Sequence, residues 1–384
     1  MNAKPLTIFL INCDWRDIFR TAPQELKEKL NRDQLEPGEN RFFFLSWSKH
    51  WYHAKEGNFE TLHLPLHTLL KPIFGDILLL ILAPLVMRYY HVRPNVVISY
   101  DFGFLPAAKF TAWLSDAKLV MYVNNMPRLY SATRRLGGIK SLYSGILERL
   151  WRHLPDAYCT INAYMAQYLE DLGIPRKRIF LYVVNTIAQD KRYIEASRPG
   201  QVRQKYGIPK GAPLLLCVAR LEPEKDHARL VRLMTSLPQV HLLLVGRGSL
   251  EGKIREMAHT VGVDARVHFT GHIGREEIWN YYRDADVFVL LSKAEALGIV
   301  FWEAMYMSVP VIGSDVPGIV ESLGEKGERG IVLSDDASGE EFARAVAFAI
   351  TPSPARDATI KRAREYVEVR AGESTTITNV LAKV

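Results

Sequence analysis

The sequence predicts an α/β protein of two domains, each built on a parallel sheet, and three observations carry that prediction. Short apolar, β-branched runs alternate with helix-length segments along the chain, the pattern of parallel strands joined by right-handed crossovers. At 384 residues the chain is too long for one ordinary core and suits two domains. A polar, proline-bearing stretch from Gln189 to Pro213 separates the two series of strands. The expected division is residues 1–188, then 189–360, with 361–384 as a C-terminal segment.

Taken in order, Leu6 to Ile11 reads as a first strand, too short for the core of a signal peptide. Arg41 to Leu45, Asn95 to Ser99, Leu119 to Val123, Ala157 to Ile161 and Ile179 to Val183 continue the series, separated by helical segments such as Glu25 to Leu30 and Ala163 to Leu172. Asp76 to Met87 is the most apolar stretch, but Asp76, Pro84 and Arg88 hold it short of the roughly 20 residues that span a bilayer. It reads as a helix in the core or lying at an interface. The second half repeats the rhythm with Leu214 to Ala219, His241 to Val245, Val267 to Thr270, Val287 to Leu291 and Pro310 to Gly313, and a last helix around Pro354 to Val367.

Composition agrees with this and narrows the setting. Apolar residues make up 48% and charged residues 24%, as in globular proteins. Cys13, Cys159 and Cys217 lie far apart in or beside apolar runs, which fits neither a disulfide framework nor a metal site and points to a reducing cytoplasm. The 11 histidines show no ligand spacing, and Asp284 and Asp286 read as the end of a helix and the start of a strand, so no metal is expected.

The chemistry concentrates in Glu295-Ala296-Leu297-Gly298-Ile299-Val300-Phe301-Trp302-Glu303. The apolar run before it ends at a sheet edge, where open α/β sheets bind ligands. A helix starting there turns free N–H groups and a positive dipole end toward a phosphate. Glu303, inside the helix, suits both hydroxyls of a ribose, and Glu295, in the loop, suits a second polyol. Two carboxylates around one phosphate cradle fit a ligand with sugars on both sides. Arg220 and Lys225, leaving the strand Leu214 to Ala219, supply positive charge for a departing diphosphate where no metal is used.

With these residues the chain resembles the retaining glycosyltransferases of family four, which have two Rossmann-like domains facing a cleft (the GT-B architecture). The resemblance rests on Arg220 and Lys225, the turn Gly246-Arg247-Gly248, Phe269-Thr270-Gly271-His272-Ile273, the paired Glu295 and Glu303, and Pro310 to Gly318. It implies that Arg220 and Lys225 grip the donor diphosphate, Glu303 binds the ribose and Glu295 the transferred sugar. It also implies that the backbone at Leu297, Gly298 and Ile299 meets phosphate or sugar, that His272 and Ile273 border the base, and that the last helix packs back on the first domain. Arg220, Lys225 and Glu295 are then the catalytic candidates; no cofactor is expected beyond the nucleoside diphosphate sugar as co-substrate.

The first half matches the family less well. Family members usually carry a glycine-rich loop after the first strand, and Asn12 to Asp17 has none. They often place a histidine after the strand matched by Leu119 to Val123, where this chain has Asn124-Asn125; asparagine can bond a sugar hydroxyl but cannot carry a proton at neutral pH. Front-side displacement, with the leaving phosphate taking the acceptor's proton, tolerates that loss. Asp14, Asp101, Asn124 and Asn125 are the acceptor or sugar contacts the sequence offers, Asp101 reading equally as a helix N-cap.

Net charge is +7, and part of it lies between Arg128 and His153, where six Arg and Lys interleave with Leu, Ile, Tyr and Trp at helical spacing. Such a segment fits an anionic membrane surface and equally an ordinary helix docked on the first domain. Nucleic acid explains the charge less well, since no recognised binding motif accompanies it. The expected activity is transfer of a sugar from a nucleoside diphosphate sugar to a hydroxyl of a glycan or lipid-linked saccharide, with retention, at the cytoplasmic face of the membrane. A nucleotide-sugar epimerase on the same architecture, or a homologue that binds without turnover, is the alternative.

Overall fold

Two sheets organise the computed structural model, which describes residues 6–12, 41–48, 51–65, 71–100, 102–123, 145–181 and 186–372. The described residues before 185 cluster in one unit and residues 186–372 in the other. The helix Thr186–Ala196 runs across the expected boundary at 188/189 and belongs to the second unit.

In the first unit, strands β1 (Thr7–Asn12), β2 (Arg41–Ser48), β3 (Tyr52–Glu56), β4 (Phe59–Pro65), β5 (Val96–Ser99), β6 (Lys118–Val123), β7 (Ala157–Thr160) and β8 (Ile179–Leu181) form one sheet in the order β3-β4-β2-β1-β5-β6-β7-β8. Every pairing is parallel except β3 with β4, which turn back on each other through Gly57-Asn58 at the sheet edge. That hairpin is absent from the sequence expectations. The buried runs Ile8 to Ile11 of β1, Phe42 to Leu45 of β2 and Leu119 to Val123 of β6 are apolar throughout, with Phe9 stacked on Phe43 at 5.3 Å, as in parallel strands covered on both faces.

Helix α1 (Lys71–Tyr89) contains the most apolar stretch of the chain. It buries Leu79, Ala83 and Val86 while exposing Ile81, Leu85 and Tyr89, so it is neither wholly core nor free of it. Among the described residues no helix is long and apolar enough to cross a membrane. Helix α2 (Leu105–Ser115) packs beside α1, and α3 (Ala163–Asp171) is capped by Asn162, whose side chain accepts from the Met165 N–H at 2.9 Å.

The second unit holds β9 (Leu214–Val218), β10 (His241–Val245), β11 (Val267–Gly271), β12 (Val287–Leu290), β13 (Val311–Ser314) and β14 (Ile331–Leu333), all parallel, in the order β11-β10-β9-β12-β13-β14. From β9 the chain first winds to one side and then, after β11, crosses to β12 on the other. The carboxyl ends of β9 and β12 are therefore the topological switch point of this sheet.

The polar stretch at the expected boundary is folded onto the second unit. It forms α4 (Thr186–Ala196) and α5 (Gln201–Lys205), which lie against α8 (Arg275–Asp284); α6 and α7 are His227–Leu233 and Glu251–Thr260. Asp284 accepts from the backbone N–H groups of Gly200, Val202 and Arg203, and Asp286 pairs with Arg203 at 2.5 Å and accepts from the Leu214 N–H at 2.8 Å. These two carboxylates hold a helix start and a strand start. Beyond α9 (Ile299–Tyr306), α10 (Pro317–Leu323) and α11 (Gly339–Ile350), the last helix α12 (Pro354–Gly372) packs on α9, with Tyr366 edge-on to Trp302. Residues 361–372 thus continue a helix of the second unit.

Candidate functional site

The loops after β9 and β12 meet at the switch point. The first carries Arg220 into a tight 3-10 turn at Pro223–Lys225; the second runs from Ser292 to Gly298 and opens α9. A backbone bond from the Lys293 N–H to the Glu224 carbonyl, 2.8 Å, ties them together. Gly298 makes the corner with φ of 66°, a left-handed value that a side chain would strain. Gly318, at the start of α10, passes so close to this loop that a Cβ there would collide with the backbone of Glu295 and Ala296.

The three cations of these loops, Lys225, Arg220 and Lys293, are each met by a carboxylate. Lys225 Nζ lies 2.5 Å from Glu295 Oε2, both side chains largely shielded from water. Glu295 Oε1 also accepts from the Ala296 N–H at 3.2 Å. Arg220, mostly exposed, reaches back to the buried Glu224 carboxylate at 2.7 Å, and Lys293 pairs with Asp226 at 3.2 Å. Leu297 and Gly298 are buried and Ile299 half-buried at the start of α9. Cys217, at the end of β9, is buried in apolar surroundings that push its thiol up to about 12, so it stays protonated.

Glu303 sits one turn into α9 with its side chain 3% exposed. Its Oε1 accepts from Arg275 Nη1 at 2.5 Å, and its Oε2 from the Tyr282 hydroxyl at 2.7 Å. Burial and the Glu303 charge hold the Tyr282 phenol well above its ordinary range, so it keeps the proton it donates. The same Arg275 guanidinium forms an ion pair with Asp190 of α4, which also accepts from the Trp279 indole at 3.2 Å. Burial lifts the Asp190 carboxyl above its usual range, against the pull of Arg275 and with a push from Glu303. His272 is exposed and Ile273 half-buried in the loop that leads into Arg275.

Lys225 and Glu295 therefore come together as direct partners, Arg220 stands on the loop of Lys225, and His272, Ile273 and Glu303 are linked through Arg275. Asp14, Asp101, Asn124 and Asn125 lie outside the described residues, as do residues 128–144 of the basic segment. The sequence reading passes over Arg275, Tyr282, Asp190 and Glu224. One signal for Arg275 is in the sequence: a cation at the first position of a helix faces the positive end of the macrodipole, where acids are favoured. Such a residue needs a compensating anion, and here it has two.

Residues 200–366 match the family model described as glycosyl transferases group 1. A GDP-mannose-dependent alpha-(1-6)-phosphatidylinositol monomannoside mannosyltransferase of Mycobacterium tuberculosis is 31% identical over 180 residues, 43% of this chain and 45% of that protein. The chain thus spans less than half the length of that relative. Among solved structures, sucrose-phosphate synthase from Thermosynechococcus elongatus superposes with a TM-score of 0.74 at 17% identity, over 96% of this chain and 97% of that one. Anabaena HepE, solved with UDP and glucose, gives 0.71 at 15% identity, over 99% and 100%. At these identities the superpositions establish the shared architecture of two α/β domains, the GT-B fold.

Proposed function

We propose that this chain, whose residues 200–366 form a group 1 glycosyltransferase domain, moves a sugar from a nucleoside diphosphate sugar to an acceptor hydroxyl with retention at the anomeric carbon. The observation that carries the reading is the ion pair of Lys225 with Glu295 at the switch point of the second sheet. There Lys225 and Arg220 lie where a diphosphate would depart, and Glu295 where a sugar would lie beside it. In this account the bond between the anomeric carbon and the diphosphate breaks, the acceptor oxygen bonds to that carbon on the same face, and the leaving phosphate takes the acceptor's proton. The two cations stabilise the charge that appears on the leaving oxygen, the work a divalent metal does elsewhere.

The donor is a hexose nucleotide, with GDP-mannose and UDP-glucose the first candidates, since one relative is named for GDP-mannose and a structural neighbour was solved with UDP and glucose. The acceptor is a glycan or lipid-linked saccharide, bound by residues 1–188, with the donor bound by 189–360. The direct test offers UDP-glucose and GDP-mannose with lipid-linked acceptors and reads the product anomer by NMR, with and without EDTA. Lys225→Ala should lower turnover by about 10²–10³, the cost of losing one group that stabilises an oxyanion, with little change in melting temperature. Unchanged turnover of a productive donor and acceptor pair would overturn the assignment.

The same reading places the enzyme against an anionic membrane at its cytoplasmic face. Supporting it, α1, α2 and the helical stretch 145–151 join successive parallel strands in one direction along the first sheet, so right-handed crossovers set all of them on one face. Outward they expose Ile81, Leu85 and Tyr89, then Phe110, Trp113 and Leu114, then Ile146 and Leu150, each set at helical spacing, with Trp113 72% exposed. Arg88 and Arg149 are exposed on the same helices. Vesicles with about a third anionic lipid at low salt should bind the protein, and Trp113→Ser with Leu150→Ser should release it. Equal indifference of both proteins to such vesicles would remove the membrane from the account.

A further inference from the structure

We propose that Arg275, braced by Asp190, is a positioning residue that sets Glu303 for the ribose of the donor and so fixes the preference for ribonucleotides. The inference rests on the proposed function, in which Glu303 meets that ribose. Its own ground is the wiring around Glu303. A carboxylate offers about four lone-pair sites, and the protein fills one on each oxygen, with Arg275 on Oε1 and Tyr282 on Oε2. Each oxygen keeps a site for one hydroxyl of a vicinal diol, and rotation of the carboxylate is blocked from two sides.

Tyr282 and Arg275 hold Glu303 by different means. The tyrosine is buried and neutral and approaches from the last turn of α8; it fixes geometry. The arginine carries charge, and without it Glu303 and Asp190 would share a buried region with no cation of their own. Like charges in such a setting drive one carboxyl to take up a proton. A protonated Glu303 spends one oxygen as a donor and accepts more weakly at the other, which weakens the grip on a diol. Arg275 also leans on the Trp279 ring, 5.6 Å from its centroid, and Trp279 in turn holds Asp190 through its indole N–H. The arginine is thus gripped by Glu303, Asp190 and the Trp279 ring together. It stands at the first position of α8, where the helix dipole opposes it, so the two carboxylates are what keep it there.

The experiment measures binding of UDP and GDP, each against its 2′-deoxy counterpart, by calorimetry to the wild type and to Arg275→Ala, Arg275→Lys, Asp190→Asn and Glu303→Gln. The wild type should favour whichever ribonucleotide it binds by roughly tenfold or more, the scale of a lost hydrogen bond to a charged group. Arg275→Ala should bring that ratio close to one, Arg275→Lys should restore part of it, and Asp190→Asn should lower it by less. Glu303→Gln should also flatten the ratio, and adding Arg275→Ala to it should change nothing further. Equal weakening of ribo and deoxy forms, with the ratio kept, would show Arg275 to be a structural brace only and overturn the proposal. If Arg275→Ala fails to fold, an unchanged ratio in both Arg275→Lys and Asp190→Asn overturns it equally. Absence of binding by the wild type to either diphosphate at millimolar concentration would instead bring down the proposed function and this inference with it.

Discussion

Glu295 and Glu303 stand at the two ends of one short stretch of chain and are held in opposite ways. Glu295 lies in a loop, 13% exposed, with one side-chain partner, Lys225. Glu303 lies in a helix, 3% exposed, with an arginine on one oxygen and a tyrosine on the other. The difference teaches what each carboxylate is free to do. A single pair on two loops can exchange partners, so Lys225 is free to leave Glu295 when an anion arrives. A carboxylate held on both oxygens by two residues of one helix has no such freedom, and its remaining lone pairs are its only means of recognition.

The largest effect expected from breaking this contrast is on stability, at the buried end. Glu303→Ala strips Arg275 and Tyr282 of a common acceptor and leaves a cation in a shielded site with Asp190 alone. Removing one partner of a buried ionic network costs about 3–5 kcal/mol. Chemical denaturation should show a loss of that size, visible as a lower midpoint at unchanged slope. A loss below 1 kcal/mol, about what exposed pairs contribute, would mean that the network relaxes into water and that the two carboxylates are not held differently after all.

A second effect, of similar or smaller size, concerns the loop that carries Glu295's partner. His227 follows Lys225 by two residues, is 2% exposed, and has neither ring nitrogen bonded among the described residues. Burial, with a further push from Lys225, lowers its pKa from 6.5 to about 4. A depressed histidine pKa means that the folded state resists a proton the unfolded chain accepts. Its contribution is therefore complete above pH 6.5 and is lost progressively as pH falls toward 4, to a total of ~3 kcal/mol. Between pH 7 and 4 the wild type should lose about that much more stability than His227→Leu. Parallel pH profiles for the two proteins would show that the loop opens before the histidine titrates.

The same contrast explains what could be read from the sequence. The strands Leu214–Val218 and His241–Val245 were legible because a parallel strand covered on both faces is a short unbroken apolar run. Glu295, Glu303 and Lys225 were legible because they sit at fixed distances from strand ends. The hairpin Tyr52–Pro65 was not expected, although Glu56-Gly57-Asn58-Phe59 has the glycine-asparagine turn that joins such strands. Its residues mix His, Lys and Glu because β3 is an edge strand with a wetted face. Arg275 and Asp190 escaped because their meaning lies in contacts with partners far along the chain, Glu303 for Arg275 and Arg275 for Asp190, and spacing says nothing about partners that meet only after the sheet has wound. The segment 189–213 showed only as a polar boundary, because the contacts that fold it, such as those of Asp190 and of the Gly200 and Val202 N–H groups, are with α8.

The smallest stability effect should fall at Glu295. Glu295→Gln keeps the shape and one acceptor but removes the charge that faces Lys225. Since the glutamine keeps an acceptor for the Lys225 ammonium, the loss of stability should be about 1.5 kcal/mol or less, the scale of one hydrogen bond. The functional consequences should divide. Lys225 no longer has to leave an anion before it can meet a phosphate, so nucleoside diphosphate binding should hold or tighten. The carboxylate proposed for the transferred sugar is gone, so turnover should fall while the donor KM does not rise. A rise in KM with turnover intact would mean that Glu295 serves ground-state binding and that Lys225 needs it to stay in place, which would make the two ends of this stretch alike rather than different.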